Sequence, residues 1–374
     1  MKNYKQLFSL VFIAAILFGC KRTSYQADNP NTLKEVFKDD FFIGTALSNK
    51  QINKTDTTTD SLISTQFNAI TAENTMKAGL IHPVWGKFNF DAADKFVEYG
   101  KINNMYIVGH TLIWHSQLPP FVHTITNADS LKQFMELHIQ TVGQRYASSI
   151  DSWDVVNEAL NEDGTWRESV FYKLLGEDYI VEAFREAAKA APNSALYYND
   201  YNIEQPQKRA GTIKLIKKLQ EAGVRIDGVG IQGHWNINNL PLNEIEESIL
   251  EYSKLGVKVA ITELDLGVLP NPWDLEGADV NQQFDGSVEM NPYPVQLPDS
   301  VSRLLADSYE QLFRLFLKHR DKISRVTLWG VNDGHSWLNN WPIRGRTNYP
   351  LLFDRNNQPK EAFQRIISIK NNSN

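Results

Sequence analysis

The sequence predicts a single (β/α)8 TIM barrel of the α/β class, and three observations carry that prediction. Eight short β-rich runs recur along the 374 residues, longer helical patterns separate most of them, and no Gly-x-Gly-x-x-Gly follows the first run. Strands alternating with helices imply a parallel sheet, and eight is the number that closes such a sheet into a barrel. The runner-up, an open doubly wound sheet, places phosphate-binding glycines after its first strand. Here that strand leads into Gly44-Thr45-Ala46-Leu47 instead.

The strand runs, in order, are Phe41–Ala46, Phe67–Ala72, Met105–Gly109, Ser152–Val156, Ala195–Tyr198, Gly228–Ile231, Val257–Thr262 and Arg325–Trp329. Apolar residues at helical spacing fill Ser130–Tyr146, with Leu131, Phe134, Met135, His138 and Val142 on one face. Ile180–Ala190, Gln207–Ala222, Leu242–Leu255 and Ser302–His319 follow the same period, and Gly223 and Gly256 stand where helix C-caps are expected. One long connection, Leu266–Ser300, carries five prolines and several acids but no Lys or Arg. Connections of that length tend to serve function or to lack order. Two readings stand for it: it shapes the leaving-group side of the cleft, with Trp273 or Tyr293 as a sugar platform, or it is a solvated surface excursion.

Ahead of the barrel the chain reads as an export signal and a tether. Lys2 and Lys5 precede Leu7–Phe18, an apolar stretch too short to span a bilayer comfortably but suited to a signal peptide. It ends in Leu17-Phe18-Gly19-Cys20, which resembles a bacterial lipobox, and Cys20 is the sole cysteine. The expected division is a lipoprotein signal over 1–19, a polar tether with lipidated Cys20 over 20–31, and one catalytic barrel over 32–374. Such a protein is exported and lipid-anchored to the bacterial cell envelope, at the outer membrane, without a transmembrane helix. A lone cysteine excludes an intramolecular disulfide and a Cys-based metal site.

A formal net charge of −6 with no dense Lys/Arg run makes nucleic acid a poor partner. No metal site and no cofactor are predicted, and a monomer is expected.

Active sites of such barrels lie at the carboxyl ends of the strands. After the second run come Glu73, Asn74 and Lys77, and after the third His110, Trp114, His115 and Gln117. Asn157 and Glu158 follow the fourth, and Asn199, Asp200, Tyr201 and Asn202 the fifth. The sixth leads to Gln232, His234 and Trp235, the seventh to Glu263 and Asp265, and the eighth to Trp329, Asn332, Asp333, His335 and Trp337. Indole faces stack on sugar rings while amides and carboxylates hydrogen-bond hydroxyls, so a carbohydrate is the expected ligand. Glycoside hydrolysis needs a pair of carboxyl groups, and Glu158 and Glu263 each close an apolar β-run.

These residues carry a more specific resemblance. Thr-Ala-Glu-Asn-Thr-Met-Lys at 71–77, Gly-His-Thr-Leu-Ile-Trp-His-Ser-Gln-Leu-Pro at 109–119, Trp-Asp-Val-Val-Asn-Glu at 153–158, Gly-Ile-Gln-Gly-His-Trp at 230–235 and Ile-Thr-Glu-Leu-Asp at 261–265 occur in that order. The chain resembles glycoside hydrolase family 10, the endo-β-1,4-xylanases, over essentially everything after the tether. The resemblance implies a retaining hydrolase with Glu158 as acid/base and Glu263 as nucleophile. It implies that His234 hydrogen-bonds the nucleophile and that Asp265 orients His234. Glu73, Asn74 and Lys77 would bind the sugar on the non-reducing side, and His110, Trp114, Gln117, Asn157, Gln232, Trp329 and Trp337 would contact the xylan substrate.

A retaining mechanism expects the two carboxyl groups about 5–5.5 Å apart. Hydrogen bonds from His234 and Asn157 are expected to keep Glu263 ionised, while the neighbouring carboxylate keeps Glu158 protonated. Two rivals remain: a β-1,4-glucanase with the same catalytic pair, and a surface lipoprotein that binds xylan without cleaving it.

Overall fold

The computed structural model describes residues 32–371. The predicted signal peptide, the tether and Cys20 lie outside the described residues. Eight parallel strands close on themselves: β1 (Phe42–Leu47), β2 (Ala69–Ala72), β3 (Tyr106–Trp114), β4 (Ser152–Asn157), β5 (Ala195–Asp200), β6 (Gly228–Ile231), β8 (Lys258–Gly267) and β9 (Ile323–Leu328). β6 pairs with β8, and β9 returns to β1, so no edge is left among them. All eight predicted runs are strands. A ninth segment, β7 (His234–Asn236), pairs only with the far end of β8, through His234↔Asp265 and Trp235↔Leu266.

Two strands run further than the sequence suggests. β3 continues through His110 to Trp114, and β8 continues through Glu263 and Asp265 to Gly267. Polar side chains interrupt the apolar run there, but the backbone ladder does not stop. Register shifts fall beside these residues, between His110 and Ile113, between Asp154 and Val156, and between Ile261 and Leu264. A bulge bends a strand and re-aims the side chains that follow. The shifts thus place Trp114, Asn157 and Glu263 at the cleft rather than on the barrel wall.

The five predicted helices form as Ala128–Tyr146, Tyr179–Ala190, Pro206–Glu221, Leu242–Lys254 and Asp299–Lys318. Asn127 caps the first, its side chain accepting from the Ser130 amide at 2.9 Å. Further helices, among them Asp60–Gln66, Asp91–Ile102 and Glu361–Asn371, add to the outer layer. Phe96, Phe134, Phe184 and Phe316 are fully buried between helices and barrel. Each such side chain contributes roughly 1.5–3 kcal/mol by leaving water. The long connection runs from the end of β8 to Asp299, with one short 3-10 turn at Val288–Met290.

Candidate active site

Glu158 follows β4 directly and takes a left-handed backbone, φ 57°. A non-glycine residue held in that region costs on the order of 1–3 kcal/mol and persists only where its surroundings over-determine it. Here they do. Its amide donates to the Asn199 carbonyl at 2.9 Å, and its carbonyl accepts from Arg167 Nε at 3.1 Å. The turn carries the carboxyl group inward, where it is 5% exposed. Trp114 Nε1 donates to Oε2 at 2.8 Å, while Gln232 Nε2 and Asn157 Nδ2 donate to Oε1 at 3.1 and 3.3 Å. Burial pushes the Glu158 carboxyl above the usual carboxylate range. The Gln232 and Trp114 hydrogen bonds and the Arg167 charge oppose that push, and the Glu263 carboxylate adds to it.

Glu263, in β8, is also 5% exposed. His234 Nε2 stands 3.4 Å from Oε2, and Asn199 Nδ2 donates to Oε1 at 2.8 Å. Burial would raise this carboxyl too, but the His234 hydrogen bond and charge, the His110 ring and the Asn199 amide outweigh it. The group is held below its ordinary value. His234 is itself fixed by Asp265, whose Oδ1 lies 3.0 Å from Nδ1. Burial disfavours the imidazolium, yet the carboxylates of Asp265 and Glu263 prevail and raise His234 to about 10. Trp337 Nε1 fills the other Asp265 oxygen at 2.7 Å.

A relay of amides joins the two glutamates. Asn199 Nδ2 donates to Asn157 Oδ1 at 2.9 Å as well as to Glu263, and Asn157 in turn donates to Glu158. This corrects one expectation, because Asn199, not Asn157, is the amide bound to Glu263. Asn199 ends a strand as a polar residue among apolar ones, a signal present in the sequence. Gly230 makes the arrangement possible. A Cβ there would lie 2.3 Å from Asn199 Oδ1 and 2.7 Å from Thr262 Cγ2.

The other predicted residues gather around this pair with one exception. Lys77 is buried, donates to Asn74 Oδ1 at 3.1 Å and lies 4.7 Å over the Trp114 ring. Burial lowers its pKa against the pull of Glu263, Glu73 and Glu158. Glu73 is raised by burial, with Lys77 and Asn74 opposing. His110 Nδ1 meets Asp154 Oδ2 at 2.9 Å, and its ring packs edge-on against Trp329 at 5.5 Å. Trp337 stacks 4.4 Å from Trp341 and meets the tilted His234 ring at 4.9 Å. Gln117 is the exception. Its side chain is exposed, and only its backbone carbonyl is engaged, by the Gly79 amide at 3.0 Å.

His335, Tyr201 and His115 also follow strand ends but face elsewhere. His335 pairs with Asp56 at 2.8 Å. Tyr201 Oη accepts from Arg167 at 2.6 Å. His115 lines an open cavity of about 380 Å³ with Arg167 and Asp279. Trp273 is 95% exposed, whereas Tyr293 packs against the core.

A closed parallel barrel with two buried glutamates at the carboxyl ends of its fourth and seventh strands, walled by indoles and amides, defines a carbohydrate-cleaving barrel hydrolase. The family model for Glycosyl hydrolase family 10 matches residues 32–369, and the chain belongs to that family. It is 41% identical over 348 residues to endo-1,4-beta-xylanase A of Xylanibacter ruminicola, covering 92% of this chain and 94% of that one. A beta-1,4-xylanase of Dictyoglomus thermophilum is 38% identical, with 97% and 99% covered. Among solved structures, an endoxylanase of this family from a sugarcane soil metagenome superposes with a TM-score of 0.87 at 45% identity, covering 90% of this chain and 99% of that one.

Proposed function

We propose that this protein is an endo-1,4-β-xylanase that cuts internal xylosidic bonds of xylan with retention of configuration. One observation carries the reading: two equally buried glutamates in one cleft, one driven toward the protonated form and the other toward the charged form. Retaining hydrolysis needs that division of labour. The xylanases named above are relatives over nearly their whole length, which supports the substrate.

In the first step Glu158 gives its proton to the glycosidic oxygen as the bond to C1 breaks. A Glu263 oxygen forms an ester with C1, and the leaving chain departs with a new hydroxyl. Esterification removes the negative charge of Glu263, so the Glu158 carboxylate becomes easier to sustain. Glu158 then takes a proton from water, the water oxygen bonds to C1, and the ester breaks to restore the Glu263 carboxylate. His234 stabilises that carboxylate before attack and on its return, with Asp265 keeping the ring aimed. Glu73, Asn74 and Lys77 hold the sugar on the non-reducing side, Asn157 meets the 2-hydroxyl, and His110, Trp114 and Gln232 enclose the reacting ring. Trp329 and Trp337 crowd the place where glucose would carry its hydroxymethyl.

Turnover on xylan and on carboxymethylcellulose tests the substrate, with xylan preferred. Glu158→Gln and Glu263→Ala should each lower kcat/KM on xylan by about 10⁴-fold or more while binding persists. An aryl xyloside whose leaving group needs no proton should recover its first step in Glu158→Gln only. Full activity in either variant defeats the mechanism. Export and anchoring form part of the proposal: Cys20→Ala should release the enzyme from the membrane fraction, and unchanged membrane association would refute the lipid anchor.

A further inference from the structure

The long connection after β8 reaches both halves of the catalytic pair through one residue. Asp279 Oδ2 lies 3.2 Å from Arg167 Nη1. The same guanidinium donates through Nε to the main-chain carbonyl of Glu158 at 3.1 Å and through Nη2 to Tyr201 Oη at 2.6 Å. The Asp279 main-chain carbonyl accepts from Trp341 Nε1 at 3.2 Å. Trp341 stacks on Trp337 at 4.4 Å with 19° between the rings. Trp337 donates to Asp265, Asp265 holds His234, and His234 faces Glu263. Leu275 and Ala278 of the same connection pack with Tyr201, Trp337, Leu338 and Trp341 in an apolar cluster separate from the barrel core.

We propose that Asp279 is a positioning residue, a strut whose side chain braces the backbone of Glu158 and whose main chain braces the His234–Asp265 support of Glu263. The strut rests on the reading of these glutamates as acid/base and nucleophile. Their strands, β4 and β8, are not neighbours in the sheet, since β5 and β6 stand between them. Sheet hydrogen bonds therefore do not fix the spacing of their end turns directly. Covalent attack tolerates little error in that spacing. A contact made outside the barrel, between the two turns, supplies the missing constraint. The Arg167 and Asp279 side chains are 16% and 24% exposed, so their attraction is only partly screened by water.

The strut also touches the acid's charge balance. The charged and titratable groups that act on Glu158 are Arg167, Glu263, Lys77, Asp200 and Tyr201. Arg167 draws the Glu158 carboxyl down. Asp279 is ionised, since backbone hydrogen bonding at Asn281 and the Arg167 charge overcome its burial, and it partly neutralises that guanidinium. Removing either member of the pair therefore moves the acid in opposite directions.

The test is kcat/KM of the full chain on xylotetraose, whose sugar leaving group needs the proton of the acid, from pH 4 to 9. The acidic limb reports the nucleophile and the alkaline limb the acid. Asp279→Asn leaves Arg167 uncompensated, so the alkaline limb moves down by about half a pH unit while the acidic limb stays. Arg167→Met moves the alkaline limb up by about the same amount, and Arg167→Lys returns it toward wild type. In Asp279→Asn and Arg167→Met kcat falls by about tenfold with KM little changed, as expected for lost alignment. Alkaline limbs that coincide with wild type, or that move the same way in both variants, overturn the strut. Should Arg167→Met not fold, Asp279→Asn and Asp279→Ser carry the test by the same limb. A wild-type chain that turns over no xyloside would count against the proposed function itself, whereas turnover with unmoved limbs counts against the strut alone.

Discussion

Glu158 and Glu263 occupy two halves of one cleft, and comparing their surroundings separates what burial does from what neighbours do. Each is 5% exposed, so each meets a similar penalty for being charged. Around Glu158 the donors are an indole and two amides, all neutral. Around Glu263 the donors are one amide, of Asn199, and an imidazolium that Asp265 keeps protonated. A neutral donor favours the carboxylate modestly, whereas a cation adds its full charge. Among the groups that hold Glu263 down the protonated His234 ring comes first, with the His110 ring and the Asn199 amide beside it.

The comparison can be broken most severely at that ring. His234→Gln should lower kcat/KM by about 10²-fold or more, because the returning carboxylate loses its cation. The acidic limb of the pH–rate profile should move to higher pH as Glu263 loses its downward pull. An unmoved acidic limb would mean that the charge of His234 is not what separates the two glutamates.

The same ring makes a stability prediction. Its value near 10 in the folded chain lies above the ordinary 6.5, so its contribution is complete below pH 6.5. It is lost as the pH rises from there through about 10. Urea midpoints should fall across that window in wild type and fall less in His234→Gln; parallel curves would contradict the assignment.

A smaller effect sharpens the Glu158 side. Trp114→Phe removes one neutral donor, so the alkaline limb should rise by about half a pH unit with about a tenfold loss of kcat/KM. A limb that falls instead would show that the indole does not favour the charged form.

His82 and His138 give the converse case, packed among aromatic rings. Their rings stack with Phe88 and Phe134, and burial depresses them to about 4 and about 3. The unfolded chain takes up these protons from pH 6.5 downward and the folded chain does not. Stability should therefore fall with falling pH below 6.5, and His138→Phe should flatten that slope. The smallest effect is expected at Trp273, which is 95% exposed. Trp273→Ala should change the unfolding free energy by less than about 0.5 kcal/mol, and only products from long xylan chains should respond.

The barrel was legible because a parallel strand covered on both faces reads as a nearly continuous apolar run. Legibility failed where chemistry entered the strands: His110 in β3 and Glu263 in β8 break the apolar pattern although pairing continues past them. Asp91–Ile102 is faint in the sequence, its charges and Gly100 thinning the apolar stripe. β7 was missed because three residues carry no period. Within the site, both glutamates, His234 and Asp265 were visible from their motifs. The sequence places Asn157 and Asn199 at neighbouring strand ends, but a strand pattern does not say which of the two amides reaches across to Glu263. Arg167 and Asp279 had no signal at all, being 112 residues apart and joined only in space.

The left-handed backbone at Glu158 bears on how this enzyme can be altered. Glycine or asparagine would sit there with less strain, so a screen rewarding heat tolerance alone would drift toward them and discard the proton donor. Libraries built for robustness should therefore hold codon 158 fixed and seek their gains on the outer helices, where resistance to unfolding and turnover do not compete.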